Sequence, residues 1–408
     1  MRFGPAIMQQ AQQLAAFTED PPRLTRRCLT LEHRQAGEYI LELMRSAGMH
    51  AGLDAIGNAV GRYEGSTPQA PAVLLGSHLD TVRNAGRYDG LFGILSAIAC
   101  VRALHEAGRR LPFALEVVAF GDEEGVRFGI TMSGSRALAG TFDPAWLDRT
   151  DGDGVSLAEA LRGFGGDPEG IPALRRARTD ILAYVESHIE QGPVLLDAGM
   201  ALGVVTAIAG ATRVRVRVTG LSGHAGTVPM TGRRDALAAA AEMVLAVERR
   251  CGAGGTLVGT VGQLMVRNGA ANVIPGHVEL TLDVRSGNDN VRLEALAELQ
   301  RICRHIAARR RCELTWEEYY AAAAAPCDAG LQGQLARSIE AHGIVLRSLP
   351  SGAGHDAIAM AAAAPIAMLF VRCGNGGISH HPDEILAVED AELATAVLLH
   401  FLEHFQAP

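Results

Sequence analysis

Imidazole and carboxylate groups recur in this chain in short, distinct strings. His78 stands in Gly76-Ser77-His78-Leu79-Asp80-Thr81, and Asp89-Gly90 opens the apolar stretch that follows. Glu123 and Glu124 stand in Gly121-Asp122-Glu123-Glu124-Gly125, and His188 in Glu186-Ser187-His188-Ile189-Glu190-Gln191-Gly192. Near the C-terminus, His380-His381-Pro382-Asp383-Glu384 follows a glycine-rich loop. Nitrogen and oxygen donors of this kind suit Zn²⁺ and Mn²⁺. Two such ions call for about five side chains, one carboxylate shared between them, with positions left for water and substrate. Taken singly, each string has a plainer reading: a hydrogen-bonded structural histidine, a capping glutamate, an Asp-Gly turn. Together, at successive strand ends of one sheet, they read as one metal-binding site.

The elements that must bring them together can be read from apolar periodicity. Pro71–Ser77 and Phe113–Phe120 are short apolar runs of the kind that form strands buried on both faces, and Leu31–Ala47 and Leu91–Ala107 have helical spacing. Such alternation predicts an α/β sheet covered on both faces, which places polar groups at the carboxyl ends of its strands. From Thr212 the pattern changes. Arg213-Val214-Arg215-Val216-Arg217-Val218 alternates with the period of a strand that has one wet face. A helix over 231–250, strands over 256–266 and 277–285, a helix over 290–309 and a strand over 312–320 complete a β-α-β-β-α-β order, the ferredoxin-like split unit. After Ala325 the α/β style returns, with Ile366–Val371 as a buried strand and a closing helix over 389–404. The predicted organisation is a first domain over 1–211 and 326–408, interrupted by a smaller inserted domain over 212–325.

Composition narrows the chemistry. The chain has 408 residues, 37 basic and 45 acidic, for a formal charge of −8. Every basic residue is arginine. A lysine Schiff base, a pyridoxal-phosphate lysine and a Walker-A phosphate loop are thereby excluded, because each needs the ammonium group. The acidic balance argues against a nucleic-acid binder, and Arg175-Arg176 and Arg309-Arg310-Arg311 read as solvated faces. Seven scattered cysteines without a Cys-x-x-Cys pair fit a reducing compartment. No secretory leader is visible at the N-terminus, and the most apolar stretch, 357–371, is too short to cross a bilayer. The expectation is a cytoplasmic protein with no membrane or nucleic-acid partner.

The strings His78-Leu79-Asp80, Asp89-Gly90, Gly121-Asp122-Glu123-Glu124-Gly125 and the late His-x-Pro-Asp-Glu resemble those of the dinuclear-metal aminoacylase/carboxypeptidase superfamily. Four more strings are similar to its hydantoinase/carbamoylase amidase branch: 188–193 (His-Ile-Glu-Gln-Gly-Pro), 223–230 (Gly-His-Ala-Gly-Thr-Val-Pro-Met), 351–356 (Ser-Gly-Ala-Gly-His-Asp) and 376–380 (Gly-Gly-Ile-Ser-His). The resemblance runs in order over nearly the whole chain. It implies a zinc-peptidase-like catalytic domain with a covered mixed sheet, and an inserted ferredoxin-like α+β domain that serves as lid and dimerisation surface.

It also implies roles. His78 and His188 hold one divalent ion, Glu124 and His380 a second, and Asp89 bridges them; His381 occupies a variable position. The ions are two per subunit, Zn²⁺ or Mn²⁺, with Ni²⁺ or Co²⁺ open. Asp80 lies behind His78, fixing its tautomer. Glu123 is the general base, passing a proton from the attacking water to the departing nitrogen. His224, contributed by the neighbouring subunit of a homodimer, steadies the oxyanion. Arg285 and Asn272 bind the substrate carboxylate, Gln191 contacts the ureido group, and Gly354 and His355 line the pocket. The implied reaction is hydrolysis of the terminal ureido C–N bond of a small ureido acid, with release of ammonia and carbon dioxide. The string Gly203–Arg213 looks most like allantoate amidohydrolases, while N-carbamoyl-L-amino acid hydrolases and β-ureidopropionases share most other strings. An aminoacylase or dipeptidase is disfavoured by His188, and a non-catalytic binding protein by the full set of ligands with Glu123.

Overall fold

The computed structural model describes residues 2–408. The chain divides into two compact units: one runs up to Thr206 and takes in Pro326–Leu349 and Ala353–Pro408, and the other comprises Ala207–Ala325 with Pro350–Gly352. The first crossing falls between Thr206 and Ala207, within the strand Leu202–Ile208, and not at 211/212. Residues 202–212 are apolar or small throughout, so alternation becomes visible only from Arg213, after the chain has already crossed.

The first unit is built on a nine-stranded mixed sheet. Its strands lie in the order His50–Leu53, Ala59–Tyr63, Ala114–Phe120, Ala72–His78, Ile181–Ile189, Ile366–Val371 and Leu202–Ile208, and the short strands Ala325–Pro326 and Ser348–Ser351 both pair with the last of these. The four central neighbours, Ala114–Phe120, Ala72–His78, Ile181–Ile189 and Ile366–Val371, are mutually parallel. Three of them are buried at every residue, which explains their unbroken apolar runs. The helix Leu91–Glu106 is apolar on all sides because it is enclosed between the sheet and the helices Phe3–Leu14 and Val388–Glu403. The helix Leu31–Ser46, capped by the Thr30 hydroxyl at the His33 amide, joins the same core.

The second unit is a four-stranded antiparallel sheet in the order Glu313–Ala322, Gly210–Thr219, His277–Ser286, Val258–Arg267. Its helices Ala236–Cys251 and Asp289–Arg309 start at side-chain caps from Asp235 and Asn288. Val214, Val216 and Val218 enter the core with Val278, Leu280, Leu282 and both helices, while Arg213, Arg215 and Arg217 lie on the wet face. The arginine clusters lie at the surface, Arg175, Arg309 and Arg311 exposed, and they also form ion pairs: Arg309 and Arg310 with Glu242, and Arg176 with the buried Glu116. Separately, Gly223–His224 and Val273–Ile274 form a two-stranded ribbon.

Gly76 shows how tightly the central strands meet. Its φ is +147°, and a methyl group there would collide with the carbonyl oxygen of Val118 on the neighbouring strand. Gly76→Ala is expected to destabilise the protein by about 3 kcal/mol, read as a lowered urea midpoint by circular dichroism; an unchanged midpoint would show that the strands can part at this point.

Candidate functional site

Parallel strands that share a direction deliver their carboxyl ends to one edge, and register keeps those ends level. His78 pairs with Phe120 across one ladder and Phe370 with His188 across another. His78 and His188 thus close their strands, Glu123 and Glu124 lie in the loop after Phe120, and His380 lies in the loop after Val371. Asp89 stands just before the helix Leu91–Glu106, whose N-cap is Gly90 at φ +66°. Glycine is required there because a Cβ would meet the His78 ring.

The five side chains converge on Asp89. Its Oδ1 lies 3.7 Å from His78 Nε2 and 3.3 Å from His188 Nε2. Its Oδ2 lies 3.1 Å from His380 Nε2, which is itself 3.4 Å from Glu124 Oε1. The far ring nitrogens are tied to backbone carbonyls, His78 Nδ1 to Asp80 O at 2.9 Å and His188 Nδ1 to Ile189 O at 2.8 Å. Each contact presents Nε2 to Asp89. His381 is turned aside, its Nδ1 accepting the Asp383 amide at 3.2 Å.

Asp80 departs from expectation. The His78 tautomer is set by the Asp80 carbonyl, while the carboxylate is 3.9 Å from the ring. That carboxylate instead accepts the amides of Glu123 at 3.1 Å and Glu124 at 3.2 Å. With one oxygen on each of two adjacent N–H groups, Asp80 shapes the Glu123-Glu124 turn.

Charge in this cluster is lopsided. Asp80, Asp89 and Glu123 are buried, Glu124 is half-buried, and among the described residues no arginine forms an ion pair with any of them. Burial pushes the Glu123 carboxyl well above the usual range against the pull of His78, with Glu124 and Asp356 adding repulsion. Burial likewise raises Glu124 to about 7. For Asp89 burial works in the same direction, but the neighbouring imidazoles of His380 and His78 overcome it and hold the group well below its ordinary value. His380 rises to about 9 chiefly through its hydrogen bond with Asp89, and burial lowers His188 to about 4. Burial opposes charge on His78, yet Asp89 and Glu123 push it well up. A region that draws a proton onto a buried imidazole also favours a divalent cation. Asp89 Oδ2 is buried, with His380 Nε2 beside it. The sets His78–Asp89–His188 and Asp89–Glu124–His380 each offer ligand atoms within 4.8 Å of one another. The donor set therefore fits two divalent ions that share Asp89.

The remaining predicted residues divide between the units. In the first, Gln191 Nε2 donates to Asp89 Oδ1 at 3.0 Å. Gly354 lies beside Glu123, where a Cβ would be 3.6 Å from Glu123 Oε1. His355 is buried, edge-on to His188 with ring centroids 4.5 Å apart, and burial holds it well below its ordinary pKa. In the second unit, His224 pairs with Val273 in the short ribbon, and the Asn272 carbonyl accepts the Ala225 amide at 2.9 Å. The two are thus neighbours. Arg285 is engaged within its own unit, bidentate on Asp283 at 2.8 and 3.2 Å and bonded to the Gly352 carbonyl at 3.0 Å. Ser379 and Glu384, to which the sequence reading assigned no role, join the site: Ser379 Oγ lies 3.4 Å from Gln191 Nε2 and donates to Glu384 at 2.7 Å. Burial raises Glu384 to about 7. Glu384 lies inside the late His-x-Pro-Asp-Glu string, the one sequence feature that pointed to it.

The sequence profile of Peptidase family M20/M25/M40 matches residues 74–404. The chain is 41% identical over 398 residues to an N-carbamoyl-L-amino acid amidohydrolase of Geobacillus stearothermophilus, covering 97% of each chain. It is 39% identical to a probable allantoate deiminase of Oryza sativa subsp. japonica, covering 96% of this chain and 86% of that one. A crystal structure of a hydantoinase/carbamoylase family amidase from Burkholderia ambifaria superposes with a TM-score of 0.91 at 35% identity, covering 98% of this chain and 97% of that one.

Because Asp80 holds the Glu123-Glu124 turn, Asp80→Asn is expected to lower kcat about 10–100-fold, with any loss of Mn²⁺ affinity, through the Glu124 ligand, the smaller effect. Turnover assays alongside chelator competition check this. Weakened metal binding with kcat intact would return the carboxylate to His78.

Proposed function

The chain belongs to Peptidase family M20/M25/M40 and, within it, to the hydantoinase/carbamoylase amidases, and we propose that it is a metal-dependent amidohydrolase of small ureido acids, with allantoate as substrate. The observation that carries this reading is the Asp89 carboxylate, with two imidazoles on one oxygen and His380 on the other, beside Glu123. In this reading His78 and His188 hold one divalent ion and Glu124 and His380 the other, with Asp89 shared. Nitrogen and oxygen donors select weakly among Zn²⁺, Mn²⁺, Ni²⁺ and Co²⁺. The ions, when bound, supply carbonyl polarisation and a more acidic water.

The chain's own groups do the rest. Glu123, buried and with its amide held by Asp80, takes a proton from the attacking water and hands it to the departing nitrogen. A base whose surroundings raise its pKa keeps that proton long enough to deliver it. Cleavage of the terminal C–N bond releases ammonia, and the carbamic acid left behind breaks down to carbon dioxide and the amine. Gln191 orients the ureido group, and Gly354 and His355 shape the pocket. His224 steadies the oxyanion, and Asn272 with Arg285 receives the substrate carboxylate, a task suited to the planar guanidinium fork. We assign His224 to the neighbouring subunit of a homodimer formed through the second unit. The exposed Val258, Leu264 and Met265 on its edge strand support such an interface. All seven cysteines are unpaired, which supports a reducing compartment such as the cytoplasm. Among the described residues no helix is long and apolar enough to cross a membrane.

An N-carbamoyl-L-amino acid substrate is the second reading, favoured by the 41% identical relative of that name. Ammonia release from allantoate and from a panel of N-carbamoyl-L-amino acids, on chelated and then Mn²⁺- or Zn²⁺-reloaded protein, separates the two. Allantoate turnover that is lost on chelation is expected; a preference for carbamoyl amino acids transfers the assignment, and silence on both sinks it. Glu123→Gln is expected to reduce kcat by about 10²–10⁴-fold with metal content unchanged, measured by ammonia release and elemental analysis. A fully active variant would remove Glu123 from the role of base.

A further inference from the structure

We propose that Glu384 is a positioning residue that fixes both where the Asp89 carboxylate sits and which way the Gln191 amide faces. The inference rests on the ureido-acid reading above. Glu384 comes from the segment that carries His380, and it reaches back to the loop that carries Asp89. Its Oε1 accepts the amide N–H of Tyr88 at 2.8 Å and of Asp89 at 3.3 Å, and its Oε2 accepts the Ser379 hydroxyl at 2.7 Å. The side chain is buried, and among the described residues no cationic side chain forms an ion pair with it. The Asp89 loop wraps it closely: a Cβ on Gly86 would overlap the Glu384 carboxyl group.

A carboxyl group with two acceptor oxygens can take the two amides on one oxygen and the hydroxyl on the other, which a side-chain amide cannot do. Oε1 is taken up by the two backbone N–H groups, and Oε2 accepts the Ser379 hydroxyl. The Ser379 proton therefore points toward Oε2, and the Ser379 lone pairs face away from Glu384. Gln191 Nε2 lies 3.4 Å from Ser379 Oγ and 3.0 Å from Asp89 Oδ1. Asp89 Oδ1 and Ser379 Oγ both accept, and His380 Nε2 lies 3.3 Å from the same nitrogen, so the amide NH₂ faces this group and the Gln191 carbonyl oxygen is left to accept a hydrogen bond. A ureido group carries N–H donors and matches that oxygen, whereas an ester does not. One side chain thus sets the position of the shared carboxylate by its first oxygen and the polarity of the substrate contact by its second.

Two variants separate these effects from simple bracing of the loops. Glu384→Gln preserves shape but places an NH₂ group against Ser379, which reverses the hydroxyl and removes the acceptor that orients Gln191. Mn²⁺ affinity, read by chelator competition, is expected to weaken about tenfold or more, and KM for the ureido acid turned over by the parent is expected to rise. Ser379→Ala is expected to raise KM alone, at parent Mn²⁺ affinity. Parent values of Mn²⁺ affinity or of KM in Glu384→Gln overturn the proposal, as does a parent KM in Ser379→Ala. A Glu384→Gln protein that merely melts earlier, with both quantities unchanged, marks a structural brace and overturns it too. Should the parent turn over no ureido acid, the functional reading fails, while the Mn²⁺ affinity of Glu384→Gln still decides whether Glu384 positions Asp89.

Discussion

Four carboxylates crowd the carboxyl edge of the central sheet with three imidazoles, and no arginine forms an ion pair with them among the described residues. Repulsion among buried like charges raises the energy of the folded state, and most local features of the first unit answer to it. Backbone amides of Glu123 and Glu124 are spent on Asp80, and those of Tyr88 and Asp89 on Glu384. Backbone carbonyls of Asp80 and Ile189 anchor the two imidazoles. Amides and carbonyls supply partial charge without a counter-ion, so the carboxylates draw protons onto His78 and His380. A divalent ion can take the place of those protons.

The network continues beneath the strand ends. Glu186, buried two residues before His188, accepts from Ser77 at 2.7 Å, Tyr184 at 3.2 Å and the Ala357 amide at 3.1 Å. These contacts link the strands that end in His78 and His188 to the helix beginning at Asp356. A buried polar network is stabilising only when its members are satisfied, and each of these bonds also fixes the level at which a neighbouring imidazole emerges. Stability and site geometry are consequently served by the same bonds, and the Tyr184 hydroxyl adds another between the two strands by donating to the Gly76 carbonyl at 3.1 Å.

The second unit follows a different economy. Its wet face carries Arg213, Arg215 and Arg217 opposite Glu279, Asp283 and Glu317. Exposed pairs of this kind contribute about 0.2–1 kcal/mol each, so the valine face and the two helices hold the fold while the charged face stays adjustable. Arg285 belongs to that face. It is bidentate on Asp283, which also pairs with Arg213. Its guanidinium plane is thus fixed within the second unit by Asp283 and the Gly352 carbonyl.

Much was legible in the sequence because it depends on local pattern. Ile366–Val371 and the alternating valines from Arg213 declare strands, helical spacing declares Leu91–Glu106, and the strings around His78, Asp89, Glu123, His188 and His380 are each complete within a few residues. The tasks of Asp80 and Glu384 were not legible. Both act on backbone amides, which every residue possesses and no sequence marks, and Glu384 acts on a loop nearly three hundred positions away. The same limit hid the crossing at Thr206, where apolar residues suit either unit, and the Asp283 partner of Arg285, which any acidic neighbour could have been. The sequence by itself determined which groups are present and which elements carry them, since residue type and periodicity are local properties. Only the tertiary structure decided which oxygen faces which nitrogen, because that depends on strand register and on loops meeting across the sheet.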